Sequence, residues 1–310
     1  MPFKFDPKNF QNKANALLST RYGGNLIQKS NRLPQNQVCV FIGLGGLGCR
    51  AVNAIKAISN EKLENPDRRL FLCLDTSKKD FDDISVATEK DIEVGGEAKE
   101  SVHGSIENDE KCVLFPGNPV VVKTLGSGVN SWLDVSQFGE KVLDSTGANG
   151  IRQMGRLALY MHYDQTYNKI VAVIQKALQI HEGLPDNDRI TGKIKVYMIA
   201  GISGGTGSGT IVDAAFMLRK AMQGKGLQFF HLEGVLFTPD VQENDKGIRG
   251  EDDRHKAIRE NHKRNFYAAI KEIDYFYNNI ARKKKYESLI GDKSDAYKQD
   301  IFDACTLISR

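Results

Sequence analysis

The sequence predicts an α/β fold, a doubly wound, mostly parallel six-stranded sheet with helices on both faces. Three observations predict it. Short apolar, β-branched runs recur at 37–42, 69–74, 193–200 and 229–237, and runs apolar on both faces mark buried parallel strands. Amphipathic stretches of helix length lie between them, at 50–58, 157–180 and 210–220. Glycine-rich turns join strand to helix at 43–48 and 201–209, the place where a doubly wound sheet holds its ligands.

The totals suit a globular chain with one large or two ordinary domains. It has 310 residues, 40% hydrophobic and 26% charged, with a net charge of +4. That mild balance points to neither a nucleic-acid nor a membrane partner. The N-terminus carries no signal peptide, and no run approaches the ~18 apolar residues of a membrane span. Cys39, Cys49, Cys73, Cys112 and Cys305 are odd in number and share no short spacing. Neither a disulfide framework nor a metal knuckle fits them, so a cytoplasmic location is expected. The scattered histidines suggest no structural metal.

In order, residues 1–36 are polar and Asn-rich and read as an N-terminal arm with one short helix near 10–18. The strand at 37–42 runs into Gly43-Leu44-Gly45-Gly46-Leu47-Gly48 and a helix from Arg50. This is the nucleotide half-site of a doubly wound fold. A dinucleotide enzyme or an E1-like adenylating enzyme shows the same turn. The strand at 69–74 ends at Asp75, a carboxylate placed for a ribose hydroxyl in a dinucleotide fold, or simply to cap its own turn. Residues 77–111 are charged and irregular and read as a surface insertion without chemistry of its own. Short strands are expected at 112–115 and 119–123.

Gly147, Ala148, Asn149 and Gly150 precede the helix of 157–180 and form a third small-residue turn, to which Arg152 and Arg156 could add phosphate contacts. The strand at 193–200 feeds Gly201-Ile202-Ser203-Gly204-Gly205-Thr206-Gly207-Ser208-Gly209, then a helix from Thr210. Glycines let backbone N–H groups turn inward, and a helix start adds unpaired donors and a positive dipole end. The result is an anion site, with Thr206 and Ser208 as hydroxyl donors. A bulky residue at Gly205 is expected to fill the phosphate's space. Beyond the strand at 229–237 come a polar loop with Glu243, a long helix over 251–278 with Ile258, Tyr267, Ile270 and Ile273 inward, a basic turn at 282–285, and a last strand over 300–308.

The stretch 203–209 closely resembles the signature loop of the tubulin/FtsZ superfamily, Gly-Gly-Thr-Gly-Ser/Thr-Gly. The other two turns stand in that superfamily's order, and the resemblance spans roughly 37–308. It implies a Rossmann-like GTPase domain over 37–310, similar to the divergent prokaryotic tubulin-like proteins and truncated before the central helix and C-terminal domain. It implies GTP or GDP with Mg2+ as ligands, the ion held through the phosphates near Asp75 and not by a protein ligand set. The nucleotide residues implied are Gly43 to Gly48, Arg50, Asp75, Gly147 to Gly150, Ser203 to Gly209, and Glu243 toward the ribose. The catalytic carboxylate is expected in a segment absent from this chain, so no catalytic residue is assigned. Self-association of the full-length protein into filaments would complete hydrolysis. Ser77 stands where the family has an acidic residue, and Arg50 where FtsZ has Asn, both on the phosphate side. The alternatives are a nucleotide-binding switch module without hydrolysis and an E1-like, ATP-dependent adenylating enzyme.

Overall fold

The computed structural model describes residues 37–85, 106–122, 133, 135–138, 141–186, 193–223, 229–242, 250–277 and 300–310. The arm expected at 1–36, the middle of 77–111, Lys123, Glu243 and the basic run at 282–285 lie outside the described residues.

In chain order the strands are β1 (Cys39–Leu44), β2 (Arg69–Asp75), β3 (Lys111–Val113), β4 (Val120–Val121), β5 (Val142–Leu143), β6 (Ile194–Gly201), β7 (Phe230–Phe237) and β8 (Ala304–Ile308). The helices are α1 (Gly45–Lys62), α2 (Lys78–Ser85), α3 (Arg152–Met161), α4 (Tyr163–Glu182), α5 (Thr206–Gln223), the single turn α6 (Pro239–Gln242) and α7 (Asp253–Tyr277). Six strands form one sheet in the order β3-β2-β1-β6-β7-β8, with every pairing parallel. The run expected at 119–123 supplies β4 instead to a separate antiparallel ribbon with β5.

β1 and β2 are buried along their whole length, as two-sided parallel strands must be. One face carries Cys39, Phe41, Phe71, Cys73 and Ile199 against Cys49 and Val52 of α1 and Phe81 and Ile84 of α2. On it Tyr197, Phe41 and Phe71 stack across three strands, with centroids 5.2 and 5.7 Å apart. The alternate residues face α4 and α5, since side chains alternate along a strand. α5 is buried on nearly every side, packed by the sheet, α3, α4 and α7. At the sheet's edge Arg219 of α5 pins β8 through Asp303 (3.0 and 3.2 Å) and the Asp300 carbonyl (3.0 Å).

Three elements differ from expectation. The helix expected over 157–180 is two helices broken at His162, where ψ opens to 25°. The imidazole Nδ1 sits 2.9 Å from the Ala158 carbonyl and competes with the backbone for it. In α7 Tyr267 faces outward while His262, Asn265, Phe266 and Ala269 are buried. The inward stripe is thus set one residue from the expected tyrosine, and it contains polar groups. The start of the 77–111 insertion forms α2, whose Ser77 Oγ accepts from the Asp80 N–H (3.2 Å), a helix cap. No helix among the described residues is long and apolar enough to cross a membrane.

Candidate functional site

The strand order reverses between β1 and β6, and a doubly wound sheet opens a crevice at the carboxyl ends of its strands at that switch point. A cavity of about 260 Å³ lies there, lined by Leu44 to Leu47, Arg50, Asp75 to Ser77, Asp80, Thr146 to Gly150, Gly201, Gly204 to Gly207 and Gln242.

The starts of α1 and α5 open onto it through Gly45 to Leu47 and Thr206 to Gly207, and the 147–150 turn ahead of α3 forms a third side. The strand end at Leu44 passes straight into α1 through Gly45, whose φ of +70° suits glycine. α1 and α3 have no side-chain cap, and the first turns of α1, α3 and α5 contain no acidic residue. Their leading N–H groups and positive dipole ends are therefore uncompensated by carboxylates of their own helices. α5 begins at Thr206, four residues before the expected Thr210, so Thr206 and Gly207 are first-turn residues. The Thr76 hydroxyl ties the turns together. It bonds the Thr206 hydroxyl (2.6 Å) and accepts from the Ala148 N–H (2.9 Å).

One wall is acidic. Asp75 Oδ1 accepts from the N–H groups of Thr76 (2.6 Å) and Ser77 (3.3 Å), while its buried Oδ2 has no hydrogen-bond partner. Burial, and then the neighbouring charge of Asp80, push the Asp75 carboxyl up to about 7 against these hydrogen bonds. Asp80 lies 3.8 Å from the Arg50 guanidinium. An unpaired, buried carboxylate oxygen beside a second carboxylate is a donor set that suits a hard divalent cation such as magnesium.

Of the residues expected at the site, Leu44 to Leu47, Arg50, Asp75, Gly147 to Gly150 and Gly204 to Gly207 line the cavity. Gly43, Gly48, Ser203, Ser208 and Gly209 do not, for steric reasons. A Cβ on Gly43 would stand 2.7 Å from the Gly48 carbonyl, one on Gly48 would meet the Ile199 carbonyl, and one on Gly209 the Arg152 carbonyl. These glycines permit close packing of backbones. The Ser208 hydroxyl turns back to donate to the Gly204 carbonyl, and Ser203 is fully buried. Arg152 and Arg156 also point elsewhere, because α3 starts at Arg152 and turns them toward α5 and α7. Arg152 donates to the Ser208 carbonyl (3.0 and 3.3 Å) and to Glu272, and Arg156 to Asp213 (3.0 and 3.3 Å). Gly205 lines the cavity, but a Cβ there would meet Ala148 Cβ at 2.7 Å and Ile151 N at 2.9 Å. A larger residue would therefore displace the 147–150 turn before it filled open space.

Sequence reasoning missed Thr76, Asp80, Thr146 and Gln242, and it left Gly201 and Ser77, though noted, out of the nucleotide residues. The spacing Ser77-x-x-Asp80 ahead of Phe81 and Ile84 was a usable sign of a helix start. Nothing in the sequence marked Gln242.

A family model described as tubulin like matches residues 40–309. Among solved structures the chain is similar to CetZ1 from Haloferax volcanii as a GDP-bound monomer, at 12% identity and a TM-score of 0.34, over 74% of this chain and 47% of that one. It is similar to CetZ2 from Haloferax volcanii as a GTPγS-bound protofilament, at 14% and 0.34, over 82% and 58%. It is similar to TubZ of Clostridium botulinum phage c-st, at 14% and 0.34, over 88% and 68%. The chain spans about half the length of the first two. No curated protein matches.

Proposed function

The chain belongs to the tubulin-like family, and from that premise we propose that it binds a guanine nucleotide, GTP or GDP, and that assembly of subunits completes hydrolysis of the triphosphate. The observation that carries this reading is the meeting of the α1 and α5 starts, whose own first turns hold no acidic residue, with the 147–150 turn at the switch point of a parallel sheet. Backbone amides of Gly45 to Leu47 and Gly204 to Gly207 would hold the inner phosphates, and the 147–150 turn would approach the terminal one. The choice of guanine rests on family membership. Residues 37–310 are the nucleotide-binding domain in this reading.

Two carboxylates facing phosphates would repel them. Asp75 and Asp80 therefore fit a magnesium ion, reached directly or through its water shell. When bound, the ion neutralises charge on the phosphates. The chain's own residues position the ligand: Thr76 and Thr206 hold the turns in register, and Arg50 adds a cation at the rim. Amides already aimed at the phosphates stabilise charge developing in transfer without reorganising. The five cysteines are buried and free, which suits a reducing cytoplasm.

Nucleotide retained by purified protein, and phosphate release followed across protein concentration, test the reading. Retained GDP or GTP and a turnover per subunit that rises with concentration support it. Turnover independent of concentration would remove the assembly step, and an absence of guanine-nucleotide binding would remove the whole reading.

A further inference from the structure

We propose that Asn265 of α7 is a positioning residue of the nucleotide site, its side-chain amide drawing loop carbonyls away from the cleft so that the opposing N–H groups face the phosphates. This rests on the guanine-nucleotide reading above. Asn265 is 7% exposed. Its Nδ2 donates to the carbonyls of Gly150 (2.8 Å) and Ser203 (2.9 Å), and lies 3.5 Å from that of Gly204. All three neighbours are acceptors, so chemistry fixes which amide atom faces them. One side chain thus joins two of the three turns that line the cavity.

The consequence follows from peptide geometry. Among the described residues there is no cis peptide, and in a trans peptide the carbonyl of one residue and the N–H of the next point in opposite directions. Holding the Ser203 and Gly204 carbonyls against α7 sends the N–H groups of Gly204 and Gly205 the other way. Both residues line the cleft, and neither amide has an acceptor among the described residues. The Gly150 tether has a second role. Gly147, Asn149 and Gly150 have φ of 93°, 48° and 72°, and left-handed backbone, above all at a non-glycine such as Asn149, persists only where its surroundings hold it. Besides bonds local to the turn, such as Ile151 N to the Ala148 carbonyl (2.8 Å) and Asn149 Nδ2 to Thr146 Oγ1 (3.2 Å), the contacts that hold it from outside include Thr76 on Ala148 N, Asn265 on the Gly150 carbonyl, and Asn261 on the same carbonyl (2.9 Å). Both asparagines act on backbone carbonyls of the turns, and neither lines the cavity.

Asn265→Asp separates positioning from packing. The side chain keeps its size, but at pH 8 a carboxylate replaces a double donor and faces three carbonyl oxygens. Fluorescent guanine nucleotide titrated onto the full chain should bind about 30-fold more weakly than to the parent, the loss of two hydrogen bonds with added repulsion. As the pH falls the carboxyl protonates and regains one donor, so the deficit relative to the parent at the same pH should shrink several-fold by pH 5.5, as expected for a buried acid of raised pKa. Parental affinity at pH 8, or a deficit unchanged with pH, overturns the proposal. Should Asn265→Asp fail to fold, Asn261→Ala decides from an exposed position. A loss of about threefold supports the tether, and no loss overturns it. A parent that binds no guanine nucleotide overturns the functional reading and this proposal together, whereas a binding parent with an equally binding variant overturns the positioning role alone.

Discussion

Replacing Gly205 by alanine adds one methyl where two turns meet. The backbone of Gly205 is not left-handed, so the effect is steric and can be measured from the structure. The new Cβ would lie 2.7 Å from Ala148 Cβ, 2.9 Å from Ile151 N and 3.1 Å from the Ala148 carbonyl oxygen. Non-bonded carbons rest at ~3.5–4.0 Å, so one turn must retreat by about 1 Å. Retreat is blocked behind Gly205, where Gly155 of α3 packs on its carbonyl. The strain therefore falls on 147–150, which Thr76 and α7 hold. Overpacking of this kind costs about 1–3 kcal/mol, and the upper part of that range, charged to the site, is roughly 10²-fold in affinity. Anisotropy of a fluorescent guanine nucleotide, with a thermal melt of the same sample, reads both effects. We expect about a hundredfold weaker binding in a protein that still folds. Gly204→Ala is the control, because its Cβ meets nothing within 4 Å, and its melting temperature should match the parent. Parental nucleotide affinity in folded Gly205→Ala would refute the contact between the two turns as a determinant of the site.

Asp75 makes stability depend on pH. Its carboxyl titrates at about 7 when folded against ~3.9 when unfolded, so the folded state holds its proton longer. The group's contribution is full below pH ~4 and lost as pH rises through ~7. Ligand-free Asp75→Asn should therefore melt higher than the parent at pH 8 but not at pH 4, and equal differences at both would contradict the assignment. Magnesium should restore the parent at pH 8 and leave the variant unmoved. Arg156→Met strands the buried Asp213, whose carboxyl burial pushes up while Arg156 holds it down. Urea titration should show a loss of about 3 kcal/mol, largely recovered in the double variant with Asp213→Leu. Arg219→Ala should cost about 2 kcal/mol by the same measurement, less than a fully buried pair because Asp303 is partly exposed. No change would mean that β8 does not depend on this tie.

The sheet was legible because its strands are buried on both faces. An unbroken apolar run such as Val38 to Ile42 suits a buried strand and is too short for a core helix. The three turns were legible because glycine clusters between strand and helix are rare without a ligand or a close contact. What the sequence did not separate was those two uses of glycine. Gly48 and Gly209 sit in the same motifs as Gly46 and Gly204, yet a Cβ on either would strike a backbone carbonyl, whereas one on Gly46 would face the Asp80 carboxylate and one on Gly204 meets nothing within 4 Å. Only the direction of the missing Cβ distinguishes them. The arginines of α3 were misread because the helix begins five residues before Leu157, which rotates Arg152 and Arg156 away from the cleft. Asn265 was invisible for a related reason: a polar residue on an amphipathic helix reads as solvent-facing, and its partners are carbonyls more than 60 residues earlier in the chain.

Everything proposed for this chain depends on the glycine-lined cleft at the β1–β6 switch point binding a guanine nucleotide. The decisive measurement is isothermal titration of the purified, nucleotide-stripped chain with GTP and magnesium, repeated with ATP and repeated on Gly205→Ala. We expect one site per chain, preference for GTP over ATP, and about a hundredfold weaker GTP binding at that site in the variant. Equal binding of ATP and GTP, or GTP binding that survives the substitution unchanged, would contradict the assignment of the cleft.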